Sequence, residues 1–173
     1  VMLQPILPKV SLLRRKIGDF FIGKDSPSYI LLEWKLDDDA GYLMTGIAMM
    51  PNAVHSANEE EQLTNIRYYT FFHEYEQGNE MDIKNIPVTE RKGNHIKIAS
   101  YIEFRKYLQK EADKSPLHMG YFASDRDSQR AYQRTLKNYG ISIDEWKNLM
   151  VRINEAEHGV SEVFSKCRTS RMV

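Results

Sequence analysis

The spacing of apolar residues changes character near residue 100. Before it, apolar positions come in short runs that are typical of strands. Three runs are long enough to predict strands of a sheet: 29–36, 42–50 and 66–75. The turn-forming segment Asp37-Asp38-Asp39-Ala40-Gly41 joins the first two runs, so the sequence predicts an antiparallel hairpin there. Shorter apolar pieces at 86–88 and 96–98 indicate edge strands.

From Ser100 onward the apolar spacing becomes helical. The first two helices are predicted over 100–114 and 128–138, with a short strand at 117–122 between them. A third helix is predicted to begin with Ser142 or Asp144 as its N-cap, and a fourth covers 160–171. Two stripes are predicted to be buried: Ile102, Phe104, Leu108 and Ala112 in the first helix, and Trp146, Leu149, Met150 and Ile153 in the third. Residues 1–99 are thus mainly strands and loops, and residues 100–173 mainly helices. This order predicts an α+β domain, an antiparallel sheet with C-terminal helices packed on it.

Composition limits the function classes. The chain has 173 residues, enough for one domain with a real core, and equal numbers of basic and acidic side chains, 24 of each. A zero net charge gives no global field that would attract nucleic acid, although local basic patches remain open. A single cysteine and no apolar run of about 18–20 residues favour a cytoplasmic protein without a membrane partner. The termini fit ordinary chain ends and a piece of a longer polypeptide equally well.

Several motifs are weaker than they first look. Residues 18–24 match the first seven positions of a phosphate-binding loop, but Asp25 stands where a magnesium-binding hydroxyl is needed and Pro27 prevents the following helix. The Asp37–Asp39 run is typical of a solvated turn rather than of a cation site. The aromatic residues of 66–75 favour a core strand over a stacking platform for bases. No catalytic constellation is complete, so an enzymatic activity is left open.

A polar junction follows the third predicted helix. It comprises Asn154, Glu155, Glu157, His158 and Gly159, and its oxygens could meet a metal ion or a water molecule. An ordinary turn between helices is favoured on chemistry alone. The next predicted helix carries a small basic face, Lys166, Arg168 and Arg171, which is either solvated or placed to meet phosphate.

Two stretches of the chain are similar in sequence to one known family. They are roughly 28–50, which includes Ser28-Tyr29-Ile30 and Thr45-Gly46-Ile47, and 136–173. The second stretch includes Tyr139-Gly140-Ile141, Trp146, Ile153-Asn154, Glu157, Gly159-Val160, Phe164 and Lys166-Cys167-Arg168-Thr169-Ser170. These segments resemble the N-terminal ATPase head of bacterial SMC-like proteins, the coiled-coil ATPases of chromosome maintenance, DNA repair and defence. The chain departs from that family in lacking a Walker A motif, a signature motif, a Walker B motif and heptads.

The resemblance implies that the chain is a lobe of a larger α/β ATPase head. Asn154, Glu155 and Glu157 would then lie near the loop that senses magnesium and the γ-phosphate, although the expected glutamine is absent. The resemblance implies that ATP and Mg²⁺ bind only when the remainder of the head or another protein chain completes the site. It also implies that DNA, if bound, would contact Lys166, Arg168 and Arg171. The alternative hypothesis is an independent protein- or nucleic-acid-binding module.

Overall fold

The computed structural model of this chain describes residues 26–51, 66–153 and 156. In chain order these residues form β1 (Ser28–Lys35), β2 (Tyr42–Pro51), β3 (Ile66–Tyr75), β4 (Thr89–Lys92), β5 (His95–Ile98), α1 (Tyr101–Lys114), β6 (Met119–Ala123), α2 (Arg126–Asn138) and α3 (143–153).

Four of the strands build one antiparallel sheet in the order β1-β2-β3-β6. The three long strands lie where the apolar runs predicted them, within one residue at each end. Opposite pairs include Ile30 with Ile47 and Phe71 with Tyr121. The predicted α+β class, an antiparallel sheet with C-terminal helices packed on it, is confirmed.

The hairpin between β1 and β2 closes through the acidic turn. Asp37–Asp39 forms a single tight helical turn in which Asp38 and Asp39 have φ values of 54° and 56°. Aspartate tolerates this left-handed region better than most side chains do. The amide of Leu36 donates to the carbonyl of Gly41 at 3.0 Å and closes the turn. All three carboxylates are exposed, as predicted for a solvated turn.

The central strands β2 and β3 are buried on both faces because helices cover each side of the sheet. On one face, α1 brings Phe104 and Leu108 against Met44 and Phe71. On the other face, Leu43 and Phe72 lie under Tyr132, Leu136 and Ile141. Side chains of a strand alternate between faces, so consecutive buried residues such as those of 68–72 are expected only when both faces are covered. The fold is therefore a three-layer arrangement of helix, sheet and helices.

Two predicted helix stripes are partly wrong. Ile102, Leu149 and Ile153 are 49%, 45% and 42% exposed. In α1 the inward positions are Tyr101, Phe104 and Leu108, whose spacing of three and four residues defines one face and leaves Ile102 outside it. In α3 Trp146 and Met150 turn inward by the same spacing. Apolar character alone did not distinguish the two sides of these helices.

Of the two short strands predicted in the segment 86–98, the one at 96–98 is present as part of β5 and the one at 86–88 is not. Residues 86–88 are not a strand, and Ile86 is instead buried in the core on the α1 side. Among the residues that the structure describes, β4 and β5 pair only with each other and form a separate two-stranded ribbon. Ile96 and Ile98 on this ribbon are 72% and 52% exposed.

Candidate nucleic-acid interface

The outer face of α2 carries four exposed cations: Arg126, Arg130, Arg134 and Lys137. Residues three or four apart lie one above another on a helix, so this spacing places them on one side. The opposite side holds Tyr132 and Leu136, which are fully buried against the sheet. The helix is held by its apolar face and presents its cationic face to solvent.

Both ends of α2 are fixed by local hydrogen bonds. Asp125 caps the first turn, where its carboxylate accepts from the amides of Asp127 at 3.1 Å and Ser128 at 2.9 Å. Hydrogen bonds from Ser128 are the main reason that the pKa of Asp125 is lowered. The cap therefore fixes where α2 begins and so the positions of the cationic residues along it.

The C-terminal end turns sharply at Gly140, whose φ of 77° lies in the region open to glycine. The amide of Ile141 donates to the carbonyl of Leu136 and that of Gly140 to the carbonyl of Lys137, both at 3.0 Å. These two bonds are the Schellman pattern, and the accompanying apolar contact joins Ile141 to Leu136. The turn directs the chain back along α2 into α3.

A groove of about 610 Å³ lies between α2 and the start of α3. Its α2 wall includes Arg130, Arg134 and Lys137, and its other wall is formed by residues 140–144. We call it the basic groove. Ser142 is the N-cap of α3, since its hydroxyl accepts from the amide of Glu145 at 3.3 Å, and Asp144 follows inside the first turn.

The basic groove is incompletely neutralised, because three cations, Arg130, Arg134 and Lys137, and one carboxylate, Asp144, line it. Helix α2 contains four cations and one carboxylate, whereas α1 contains four cations and three carboxylates. A guanidinium nitrogen of Arg130 lies 3.7 Å from Oδ1 of Asp127, but both side chains are exposed, so this ion pair contributes little to stability. Within ranges 26–51 and 66–153, Arg134 and Lys137 form no ion pair. Their charge is available to an anionic partner.

A polar cluster lies beside the groove at Tyr139. The hydroxyl of Tyr139 donates to Oε2 of Glu74 at 2.6 Å, and Nδ1 of His118 lies 3.4 Å from the same oxygen. Burial raises the pKa of Tyr139 and its bond to Glu74 raises it further, so the phenol stays protonated. The cluster has a carboxylate, a phenol and an imidazole but lacks a nucleophile with an activating base. Its clearest role is to hold the Tyr139 ring in place.

His73 lies on the α1 side of the sheet, opposite the face that carries Glu74 and Tyr139. It is a buried titratable group, so its protonation tests whether this side of the core is closed to water. Its ring is 7% exposed, and Nδ1 has no hydrogen-bond partner among the described residues. Burial is the main cause of the lowered pKa of His73. A backbone hydrogen bond at Met81 opposes it, His118 lowers the pKa further, and Glu111 and Glu74 raise it by smaller amounts.

We expect acid to weaken the fold through His73. Between the lowered folded pKa and the ordinary value of about 6.5, the unfolded chain binds more protons than the folded chain. This contribution to stability is complete above about pH 6.5 and is lost as the pH falls through the folded pKa. Urea unfolding at a series of pH values should show a smaller acid loss for His73→Phe than for the wild type. Equal losses would contradict the neutral, buried state of His73.

The site residues predicted from the sequence lie outside the described ranges. This applies to Asn154, Glu155 and Glu157, to the basic set Lys166, Arg168 and Arg171, and to the loop 18–24. These assignments therefore stay predictions. Tyr69 and Phe71 of β3 are at most 1% exposed, which confirms the aromatic strand as core.

Sequence reasoning missed the cationic face of α2. The signal was present as basic residues at intervals of four, four and three in a segment predicted to be helical. Spacing alone, however, does not show that a groove lies beside the helix, because that depends on the turn at Gly140 and the direction of α3.

No protein-family profile, curated protein or solved structure matches this chain at a significant level. In the part of the chain that the structure describes, no helix is long and apolar enough to cross a membrane. Nor do the described residues contain a group of three or more His, Cys, Asp or Glu side chains that could hold a metal ion. The functional argument therefore depends on the basic groove and its surroundings.

Proposed function

We propose that this domain binds nucleic acid by setting the cationic face of α2 against the phosphate backbone. The observation that carries the proposal is the stripe of exposed cations that ends in the basic groove. From Arg126 to Lys137 the helix rises roughly 16 Å, a length that faces several phosphates, since one strand of a duplex carries a phosphate for about every 3.4 Å of helix axis.

Residue type supports phosphate as the ligand. Three of the four cations are arginines, whose planar guanidinium groups donate two parallel hydrogen bonds to phosphate oxygens. The α2 backbone fixes the spacing of these cations before the ligand arrives, and among the described residues Arg134 and Lys137 have no ion pair that would have to break. An acidic protein partner would use the same charges but would not follow the salt dependence of counterion release from a nucleic acid.

The SMC-like assignment stays a prediction. A part of an ATP-dependent DNA-maintenance protein would need contacts to DNA, and the cationic face of α2 would be one place for them. ATP and Mg²⁺ would in that case require residues from the remainder of the head. The nucleic-acid proposal does not depend on this assignment.

We expect the triple variant Arg130→Gln, Arg134→Gln and Lys137→Gln to lose nucleic-acid affinity. The logarithm of the association constant falls linearly with the logarithm of the salt concentration. Each lost phosphate contact should make this negative slope shallower by about 0.7 for a single strand and 0.9 for a duplex. The slope should thus become shallower by about 2–3 in total. Fluorescence anisotropy of a labelled oligonucleotide across a salt series measures both quantities.

Helix α1 offers a matched control. Lys106, Lys110 and Lys114 are exposed and equally spaced, so changing all three to glutamine removes the same charge from the other helical layer. This control should keep most of the affinity, because three carboxylates on α1 already offset its lysines. An equal loss in both triple variants, or no binding by the wild type at low salt, would overturn the proposal.

A further inference from the structure

A second cavity lies on the other side of the turn that borders the basic groove. It measures about 340 Å³ and is walled by the rings of Trp34, Trp146 and Tyr139. We call it the aromatic pocket. Both cavities are lined by Gly140, Ile141 and Ser142, so one short turn separates the cationic wall from the aromatic one.

The rings of the pocket are held before any ligand binds. The Trp34 indole donates to the hydroxyl of Thr45 at 2.9 Å, and the Tyr139 hydroxyl donates to Glu74 at 2.6 Å. The Trp34 and Trp146 rings pack edge to face with their centroids 4.8 Å apart. All three side chains are nevertheless only partly buried. Rings that are fixed yet reachable lower the entropic cost of stacking against a ligand.

Polar groups stand at the mouth of the aromatic pocket. Lys35, Asp37 and Glu145 are exposed there and offer both donors and acceptors. Nζ of Lys35 lies 3.7 Å from Oδ1 of Asp39. Both side chains are largely exposed, so this ion pair exchanges readily with solvent or ligand. A planar ligand with donors and acceptors on its edge fits this combination of walls and rim.

From this arrangement we infer that the aromatic pocket takes one unpaired base of a single-stranded nucleic acid whose phosphates lie along the basic groove. The inference rests on the proposed function and narrows its ligand to single strands. A volume near the lower end of the roughly 300–1,000 Å³ range of small-molecule sites suits one base rather than a longer ligand. Bases of a duplex are stacked and paired, so they cannot enter such a pocket without being flipped out.

The chain contains its own reporter for this site. Its two tryptophans, Trp34 and Trp146, both line the pocket, so intrinsic fluorescence is specific to it. Three probes of equal length separate the contributions: an oligothymidylate, an abasic strand with the same phosphates, and a duplex. We expect saturable quenching by the oligothymidylate and little change with the abasic strand.

Affinity measured by anisotropy tests the same inference. One stacked base should make the oligothymidylate bind about 5- to 150-fold more tightly than the abasic strand. Trp146→Leu should remove most of this difference while leaving binding of the abasic strand unchanged. Tyr107→Leu, which removes a partly buried ring from α1 on the other layer, serves as the matched control and should keep the difference. Circular dichroism confirms that each variant is folded.

The outcomes separate the two proposals. If oligothymidylate and abasic strand bind equally and the fluorescence does not change, the base pocket is wrong and the α2 interface stands. If none of the three probes binds at low salt, the proposed function itself is wrong. Retention of the full preference for bases in Trp146→Leu would also overturn the pocket.

Discussion

Phe71→Ala is expected to lower the free energy of unfolding by about 3–5 kcal/mol, the cost of deleting a large buried aromatic ring. The Phe71 side chain is completely buried in the centre of β3. Its ring meets that of Phe104 on α1 edge to face, with the centroids 5.6 Å apart. The deletion removes transfer free energy and also leaves a cavity between the sheet and α1 that rigid strands cannot close.

Urea unfolding followed by circular dichroism measures this loss. Leu117→Ala is the matched control, because Leu117 is 81% exposed and its truncation should change stability by no more than about 0.5 kcal/mol. A loss below about 1 kcal/mol for Phe71→Ala would mean that α1 does not pack tightly on this face.

Gly46→Ala should destabilise the domain by about 3 kcal/mol, at the upper end for an overpacked core. A Cβ at residue 46 would lie 2.5 Å from Cε1 of Phe71 and 2.9 Å from Cδ2 of Leu31. The Phe71 ring cannot move aside, since it is enclosed by Phe104 and the sheet. A single methyl group therefore has to displace a strand or a helix.

Shortening the opposing side chain should relieve this clash. In the Gly46→Ala background, Phe71→Leu is expected to cost at least about 1 kcal/mol less than it does in the wild type, as a double-mutant cycle measures. Phe72→Leu is the control, because Phe72 points to the opposite face of the sheet and contacts the α2 layer. Recovery by Phe72→Leu, or none by Phe71→Leu, would contradict the packing described for β2 and β3.

The strands could be predicted more completely than the helical faces. Residues 66–75 are bounded by polar segments and rich in aromatic and β-branched side chains, so the limits of β3 followed from local preference. The orientation of α1 did not, because Ile102 is as apolar as its buried neighbours and only packing against the sheet decides which side turns inward. Local propensity determines where an element begins, whereas tertiary contacts determine its rotation.

The candidate site was less predictable for a related reason. Its cations are evident from the spacing of arginines in α2, but the aromatic pocket joins Trp34 of β1 to Trp146 of α3. No sequence pattern links two residues so far apart in the chain. Their meeting depends on the sheet order, the turn at Gly140 and the entry angle of α3, and each of these is a property of the assembled fold.

Strand β6 has a consequence for how the domain opens. It is a five-residue edge strand that follows α1 after four residues and precedes α2 after two, and its partner β3 is distant in sequence. Pairing β6 closes a long loop, so its entropic cost is met late, after the β1–β2 hairpin has formed. Detachment of this one strand would loosen the helices on both faces together. The two helical layers would then share a single cooperative unit of stability, with β6 as its common attachment.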